Sequence, residues 1–449
     1  RQGAEAGMSM KSTLENLESV NSKYFMFHAK TSDTDPGDAK FLFSAKDNLT
    51  SKDMETCAGS RILEGYFPAF DATAIAKMRE AGGKLIGKTN MDEFGFGTFS
   101  TNSGFEVPRN PYDLERACGG SSGGSACAAA VFEDHISLGV STGGSICCPA
   151  SFCGVYGIAP TYGRVSRYGL IDYGNSLDKI GVLSARAGDL RKYINVIAGR
   201  DERDPTSCVQ PELRNEGRRM RSVAVPREGV EGLSKDVESA FNAALDELRR
   251  MGIEVEMVDM PSLKYAMPAY YVLATSEAST NLARYVGMRY GHQDGDYSLK
   301  FDDFFSDVRS RYFGDEAKRR ILLGTFTRMA GYSDRYYSKA RQVRQVVIQD
   351  YKRVLKDHDA VLAPTMPFTA PRFDDISKMS ALDNYKADYL TVPANIAGTP
   401  HMSVPCGYGS DGMPIGMQFV ADHWDEDVLF TMAEEWDKEF EIRKPEVSA

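Results

Sequence analysis

Two clusters of serine and glycine constrain this chain more than any other feature. They lie at residues 119–125 and 141–145, within CGGSSGGSACAAAVFEDHISLGVSTGGSICCPASFCGVYGIAPTYG (118–163). A backbone of small residues lets hydroxyls, N–H groups and a substrate converge without Cβ clashes. A flexible linker would also be rich in Gly and Ser. These clusters, however, flank an apolar Ala-rich stretch and the strand-like run HISLGV (135–140), so they belong inside a fold. A phosphate-binding loop would end in Gly-Lys-Ser/Thr, whereas the first cluster ends Gly124-Ser125-Ala126.

The surrounding pattern alternates helices with apolar strands. Residues 12–30 have helical spacing through Leu14, Leu17, Val20 and Tyr24, and TSDTDPGDAK (31–40) is turn-rich. FLFSA (41–45) predicts a buried strand ending at Lys46. DATAIAKMREA (71–81) predicts a helix stopped by Gly82–Gly83, with the strand KLIGKT after it. SVAVP (222–226), residues 233–252 and IEVEMV (253–258) read as one βαβ unit, while 333–356 reads as a long helix before the strand 360–365. The expected fold class is α/β, with a central mixed sheet flanked by helices. One large domain is expected over 1–449, because no linker, repeat or low-complexity segment interrupts it. Residues 261–320, rich in Tyr, Arg and Asp, are expected as an inserted helical cap.

Composition narrows the partners. A net charge of −10 is poorly suited to holding a polyanion, so any RNA contact is expected to fall mainly to another subunit. No apolar run approaches the roughly 18 residues that a membrane span needs. The opening RQGAEAGMSMKSTLENLESV has no apolar signal-peptide core and no initiator Met, which suggests a trimmed or incomplete start. None of the eight cysteines forms a CxxC pair and no histidine cluster accompanies them, so no metal site is expected and the thiols are read as free and mostly buried.

A serine nucleophile needs a base. Of the six histidines, His135 is nearest Ser145 in sequence. It begins a strand rising about 3.3 Å per residue, which sets it roughly 15 Å from the far end. His28, His292, His358, His401 and His423 have no suggestive neighbours. Lys46 is the other candidate, at the mouth of a buried strand. Burial can lower a lysine by the roughly 3 pKa units a neutral base requires. On its own, Lys46 is one lysine among many.

The stretch 118–163 resembles the amidase signature family. There a lysine follows an apolar strand and precedes Asp-Asn, a serine of GGSSGG bridges it to the nucleophile, and the nucleophile is the serine of TGGS. Carried onto this chain, these are Lys46, Ser121 and Ser145, with 24 residues between the serines as in the family and Ser122 in support. The resemblance implies a cis peptide before Ser121 and an oxyanion hole from the N–H groups of Thr142, Gly143, Gly144 and Ser145. TYGRVSRYGLIDYGNSLDKIG (161–181), GKTNMDEFGFGTF (87–99), RRILLGTF (319–326) and TVPANIAGTPHMSVPCG (391–407) are similar to the A subunits of glutamine-dependent aspartyl/glutamyl-tRNA amidotransferases. By that resemblance Arg320 and Asp388 would hold the α-carboxylate and α-amino group of glutamine. The chain itself would bind no cofactor. ATP and Mg²⁺ would be used by a B-type kinase and tRNA-binding subunit, assembled with a small C-type subunit in the cytoplasm, or in a mitochondrion if a transit peptide was removed. A stand-alone amidase for small amides would share the serines and the lysine and differ in the pocket, and a non-catalytic scaffold would have lost them.

Three positions depart from the family. Ser141 stands where Asp usually precedes TGGS, Cys147 where Arg usually follows the nucleophile, and Ala159 where a lysine is often found. The first two departures imply an ion pair behind the loop replaced by small residues, leaving no buried charge unpaired.

Overall fold

The computed structural model describes residues 9–132, 134–211, 213 and 217–446. The first eight residues, read above for a targeting signal, lie outside them. Eleven strands form one sheet: β1 (Phe27–Lys30), β2 (Phe41–Lys46), β3 (Gly83–Thr89), β4 (His135–Ser141), β5 (Tyr156–Ala159), β6 (Lys179–Ser184), β7 (Ser222–Pro226), β8 (Glu254–Val258), β9 (Ala360–Pro364), β10 (His401–Tyr408) and β11 (Pro414–Val420). Their spatial order is β1-β3-β2-β4-β6-β5-β10-β11-β9-β7-β8. β2 pairs in parallel with β3 and β4, and β7 with β8 and β9. The remaining pairs are antiparallel, so the sheet is mixed as expected.

β4 is buried at all seven positions, which is why HISLGVS reads as a continuous small and apolar run rather than an alternating one. The helix Lys235–Arg250 completes the expected βαβ unit. It buries Val237, Phe241, Ala244, Leu245 and Leu248 on one stripe, and the Ser234 side chain caps its start. The Ala-rich helix Gly123–Val131 buries nearly its whole length, so only small side chains fit there.

Residues 12–30 depart from the single helix expected. Helices Met10–Glu15 and Leu17–Tyr24 end at Phe25, whose φ of 52° is left-handed, and the chain then turns into β1 against β3. The spacing through Tyr24 is helical, but nothing local announces the edge strand. In 261–320 the described residues form helices Leu263–Asn281 and Phe301–Tyr312 and the start of Asp315–Arg328, with no strand. These helices and Tyr337–Leu355 bury a second apolar cluster containing Phe94, Tyr173, Tyr270 and Val392. No helix of the described residues is long and apolar enough to cross a membrane.

Candidate active site

The parallel pair β2–β4 brings Lys46 and Ser141 to the same end of the sheet, because both strands run the same way and finish together. The turn after β4 carries Ser145, and the helix starting at Gly123 carries Ser122 just before it. Lys46 Nζ lies 2.7 Å from Ser121 Oγ and donates a second bond to Val140 O at 3.0 Å. Burial brings this ammonium down to about 7, against the pull of the Asp92 and Asp178 carboxylates. The Gly120–Ser121 peptide is cis. Ser122 Oγ donates to Val140 O at 3.1 Å, and its own N–H donates to Ser145 O at 3.2 Å, tying the two serine clusters together. The Ser145 hydroxyl makes no hydrogen bond to a described residue, Ser121 included, and Ser145 is buried, at 6% exposure. Among the described residues, the N–H groups of Gly143, Gly144 and Ser145 have no acceptor.

The loop 142–145 is clamped from two sides. Thr142 Oγ1 donates to Asp178 Oδ1 at 2.7 Å, and Asp178 also accepts the N–H groups of Tyr173 and Gly174. Asn395 Nδ2 donates to Thr142 O. A Cβ on Gly144 would meet Thr391 Oγ1 at 2.0 Å, and one on Gly143 would meet the Tyr270 ring at 2.8 Å, so neither position admits a side chain. Burial pushes the Asp178 carboxyl up to about 7.

Arg320 and Asp388 are both buried, at 3% and 8% exposure. Arg320 donates to Glu316 Oε1 at 2.8 Å and to the Tyr173 hydroxyl at 2.5 Å. Its guanidinium lies over Phe96, Tyr173, Tyr271 and Tyr385 at 5.2–5.7 Å from the ring centroids. Asp388 accepts the Tyr271 hydroxyl at 2.9 Å, so a single aromatic ring links the two charged groups. Burial raises Asp388 to about 6. A cavity of about 260 Å³, lined by Thr98, Glu316, Arg320 and Tyr385 among others, opens onto the guanidinium. A separate cavity of about 710 Å³, lined by Val361, Leu390 and Gln418 among others, includes none of the residues named in this site.

Ser141 and Cys147 are both buried behind the loop, and Lys179 is buried beside them. Lys179 stands opposite Ser141 in the β4–β6 register. Its Nζ bonds Thr399 O at 2.9 Å and His401 Nδ1 at 3.2 Å, and His401 in turn faces Ala159 across β5–β10. A basic side chain therefore occupies the region where all three departures meet. Burial takes Lys179 down to about 7 and the Cys147 thiol up to about 12. His135 is held neutral by burial and bonds Ser44 Oγ at 2.8 Å, inside the core. The eight cysteines are free, seven of them buried and Cys208 exposed.

The family model described as Amidase matches residues 41–430. This chain belongs to the amidase family. It is 45% identical over 406 residues to the A subunit of glutamyl-tRNA(Gln) amidotransferase from Methanococcoides burtonii, spanning 89% of this chain and 84% of that relative. It is 41% identical over 446 residues to the protein of the same name from Clostridium botulinum, covering 94% and 91%. The crystal structure of the A subunit of glutamyl-tRNA(Gln) amidotransferase from Thermotoga maritima superposes with a TM-score of 0.84 at 36% identity, over 98% of this chain and 94% of that one. The peptide amidase of Stenotrophomonas maltophilia follows the same fold with a TM-score of 0.78 at 26% identity, over 98% and 95%.

Sequence reasoning does not single out Asp178, Thr391, Asn395, Tyr173, Tyr271 or Glu316. Asp178, in a Gly-containing turn just before a buried strand, carries the one usable signal.

Proposed function

We propose that this chain is the glutamine-hydrolysing A subunit of a tRNA-dependent amidotransferase, supplying ammonia for amidation of Glu-tRNA(Gln), Asp-tRNA(Asn) or both. The observation that carries this reading is the buried Arg320–Tyr271–Asp388 arrangement beside the serine clusters. A zwitterionic amino acid needs a cationic fork for its carboxylate and an anion for its ammonium group, and a buried arginine provides the fork bidentately. A simple amide offers neither charge. The names of the relatives support the same reading.

In the proposed reaction neutral Lys46 takes the proton of Ser121, which takes that of Ser145, and Ser145 Oγ attacks the carboxamide carbon. The N–H groups of Thr142, Gly143, Gly144 and Ser145 receive the oxyanion. One such donor is typically worth about 3–4 kcal/mol. As the tetrahedral species collapses, the C–N bond breaks and the proton returns through Ser121 to the leaving nitrogen, releasing ammonia. Water then repeats the attack on the acyl-serine, and glutamate leaves. Ser122 holds the first cluster to Val140 and so positions Ser121. Ammonia passes to a B-type subunit that binds the tRNA and activates it with ATP and Mg²⁺, within a complex that includes a small C-type subunit. The acidic chain itself suits that division of labour.

The test is ammonia release from glutamine by wild type and Ser145→Ala, with co-purifying partners present, followed by amide formation on misacylated tRNA from free ammonia. Ser145→Ala is expected to lose the first reaction and keep the second. Cleavage of simple amides by a wild type that ignores glutamine would instead make the chain a stand-alone amidase.

A further inference from the structure

We propose that His28, Glu55 and Cys57 form a zinc site between edge strand β1 and the loop that follows Lys46. One ligand atom from each residue, an imidazole nitrogen, a carboxylate oxygen and a thiol sulfur, lies within 4.8 Å of the other two. His28 Nε2 and Glu55 Oε2 are 3.5 Å apart. Two ligands of a tetrahedral zinc with bonds of about 2.0 Å stand about 3.3 Å apart, so that edge is already near its coordinated length and the thiol closes the triangle by a small side-chain movement.

The donor atoms are not committed elsewhere. His28 Nε2 is buried and makes no hydrogen bond, and its ring is seated against Phe105 at 3.9 Å between centroids. Glu55 is held through Oε1, which accepts the Gly65 N–H, and this leaves Oε2 turned to the histidine. The Cys57 thiol makes only a weak donation to Leu63 O at 3.5 Å.

The donor set selects the ion. Imidazole and thiolate suit zinc, whereas magnesium and calcium take oxygen ligands throughout. Charge balances as well. Zinc with a thiolate and a carboxylate is neutral, and the neighbouring Lys88 and Asp47, 3.4 Å apart and fully buried, neutralise each other. A buried site can therefore take the ion without stranding a charge. The His28 and Glu55 side chains keep 10% and 23% exposure, which gives the ion a way in and water a fourth position.

The site would act on stability rather than on the reaction. Asp47, next to Lys46, accepts the N–H groups of Cys57 and Gly59 at 3.1 and 3.2 Å. An ion at Cys57 would cross-link this loop to β1 and fix the ground on which the lysine stands. Glu55 and Cys57 share one loop while His28 comes from β1, 27 residues before Glu55, which is why a search for closely spaced cysteines and histidines does not find them.

Zinc sulfate is titrated into the metal-stripped chain against a chromogenic chelator, and Co²⁺ substitution is followed by absorbance. The expected result is one zinc per chain with a Kd below about 1 μM, and with Co²⁺ a thiolate-to-metal charge-transfer band in the near ultraviolet. Cys57→Ser is expected to abolish the band. Cys57→Ser and His28→Ala should each weaken zinc binding at least tenfold, and Cys208→Ser, at the exposed cysteine, should change neither readout. Zinc should raise the melting temperature of wild type and leave that of Cys57→Ser unmoved. If His28→Ala does not fold, Glu55→Gln, which keeps an acceptor for Gly65, takes its place. The proposal is overturned if wild type shows no saturable binding, or if the variants bind zinc as tightly as wild type does.

Discussion

Lys46 and Lys179 flank the end of the same strand. β2 lies on one side of β4 and β6 on the other, and because β6 runs antiparallel its first residue, Lys179, stands opposite Ser141, two residues along β4 from the Gly139 level that the β2 register reaches at Lys46. Both ammonium groups are brought down to about 7 by burial. What they touch separates them. Lys46 meets the hydroxyl of Ser121, which can pass a proton onward. Lys179 meets the carbonyl of Thr399 and a ring nitrogen of His401, and neither leads toward Ser145. A depressed lysine pKa thus marks desolvation, and only the contact at Nζ separates a candidate base from a buried structural cation.

That contrast predicts its largest effect in rate. Lys46→Met should lower kcat for glutamine hydrolysis by at least about 10³-fold, while Lys179→Met should stay within about tenfold. Comparable losses in the two variants, measured by ammonia release, would erase the distinction. A smaller effect is expected where the loop is clamped. Thr142→Val removes the bond to Asp178 without adding bulk, and should lower kcat about tenfold with KM nearly unchanged, as steady-state kinetics on glutamine would register.

The pH profile sharpens the comparison. A base must be neutral, so kcat/KM should fall about tenfold per unit below pH 7 as Lys46 takes up its proton. Asp388, raised to about 6, must be anionic to hold an ammonium group and should steepen the fall below that pH. Lys179→Met should keep the same profile. A profile flattened by Lys179→Met would transfer the titration to the wrong lysine.

The smallest effect is on stability. An unfolded lysine holds its proton to about pH 10.4, whereas Lys179 gives it up near 7 in the fold. Between those values the unfolded state binds more protons, so this group makes stability rise with pH by roughly 1 kcal/mol per unit. Urea unfolding from pH 7 to 9 should show the advantage of Lys179→Met shrinking by about that slope. A constant difference would mean Lys179 remains charged in the fold.

What the sequence discloses follows from local rules. The Ser/Gly clusters imply a crowded backbone, and Gly143 and Gly144 are indeed wedged against Tyr270 and Thr391. FLFSA followed by Lys46 reads as a buried strand with a lysine at its mouth, and β2 is that strand. The clamp residues are not legible, because Asn395 meets Thr142 across more than 250 positions and Asp388 meets Tyr271 across 117, distances that only folding closes. Lys179 escapes notice for a related reason. Comparing Ser141, Cys147 and Ala159 with the family draws attention to those three positions, while Lys179 sits on the neighbouring strand β6 with no mark in its own segment. The edge strand β1 reads as helix because apolar spacing up to Tyr24 fits a helix, and the left-handed turn at Phe25 falls on a residue that carries no turn signal.

An eleven-stranded open sheet has two margins, each an invitation to a second molecule, and at the β1 margin the Asn21 side chain already pairs with the N–H and the carbonyl of Phe27. At the other, β8 turns Glu254 and Glu256 outward, and His358 reaches only the second of the pair. Two copies brought margin to margin there would set carboxylate against carboxylate. The row of acids guards the protein against polymerising through its own architecture.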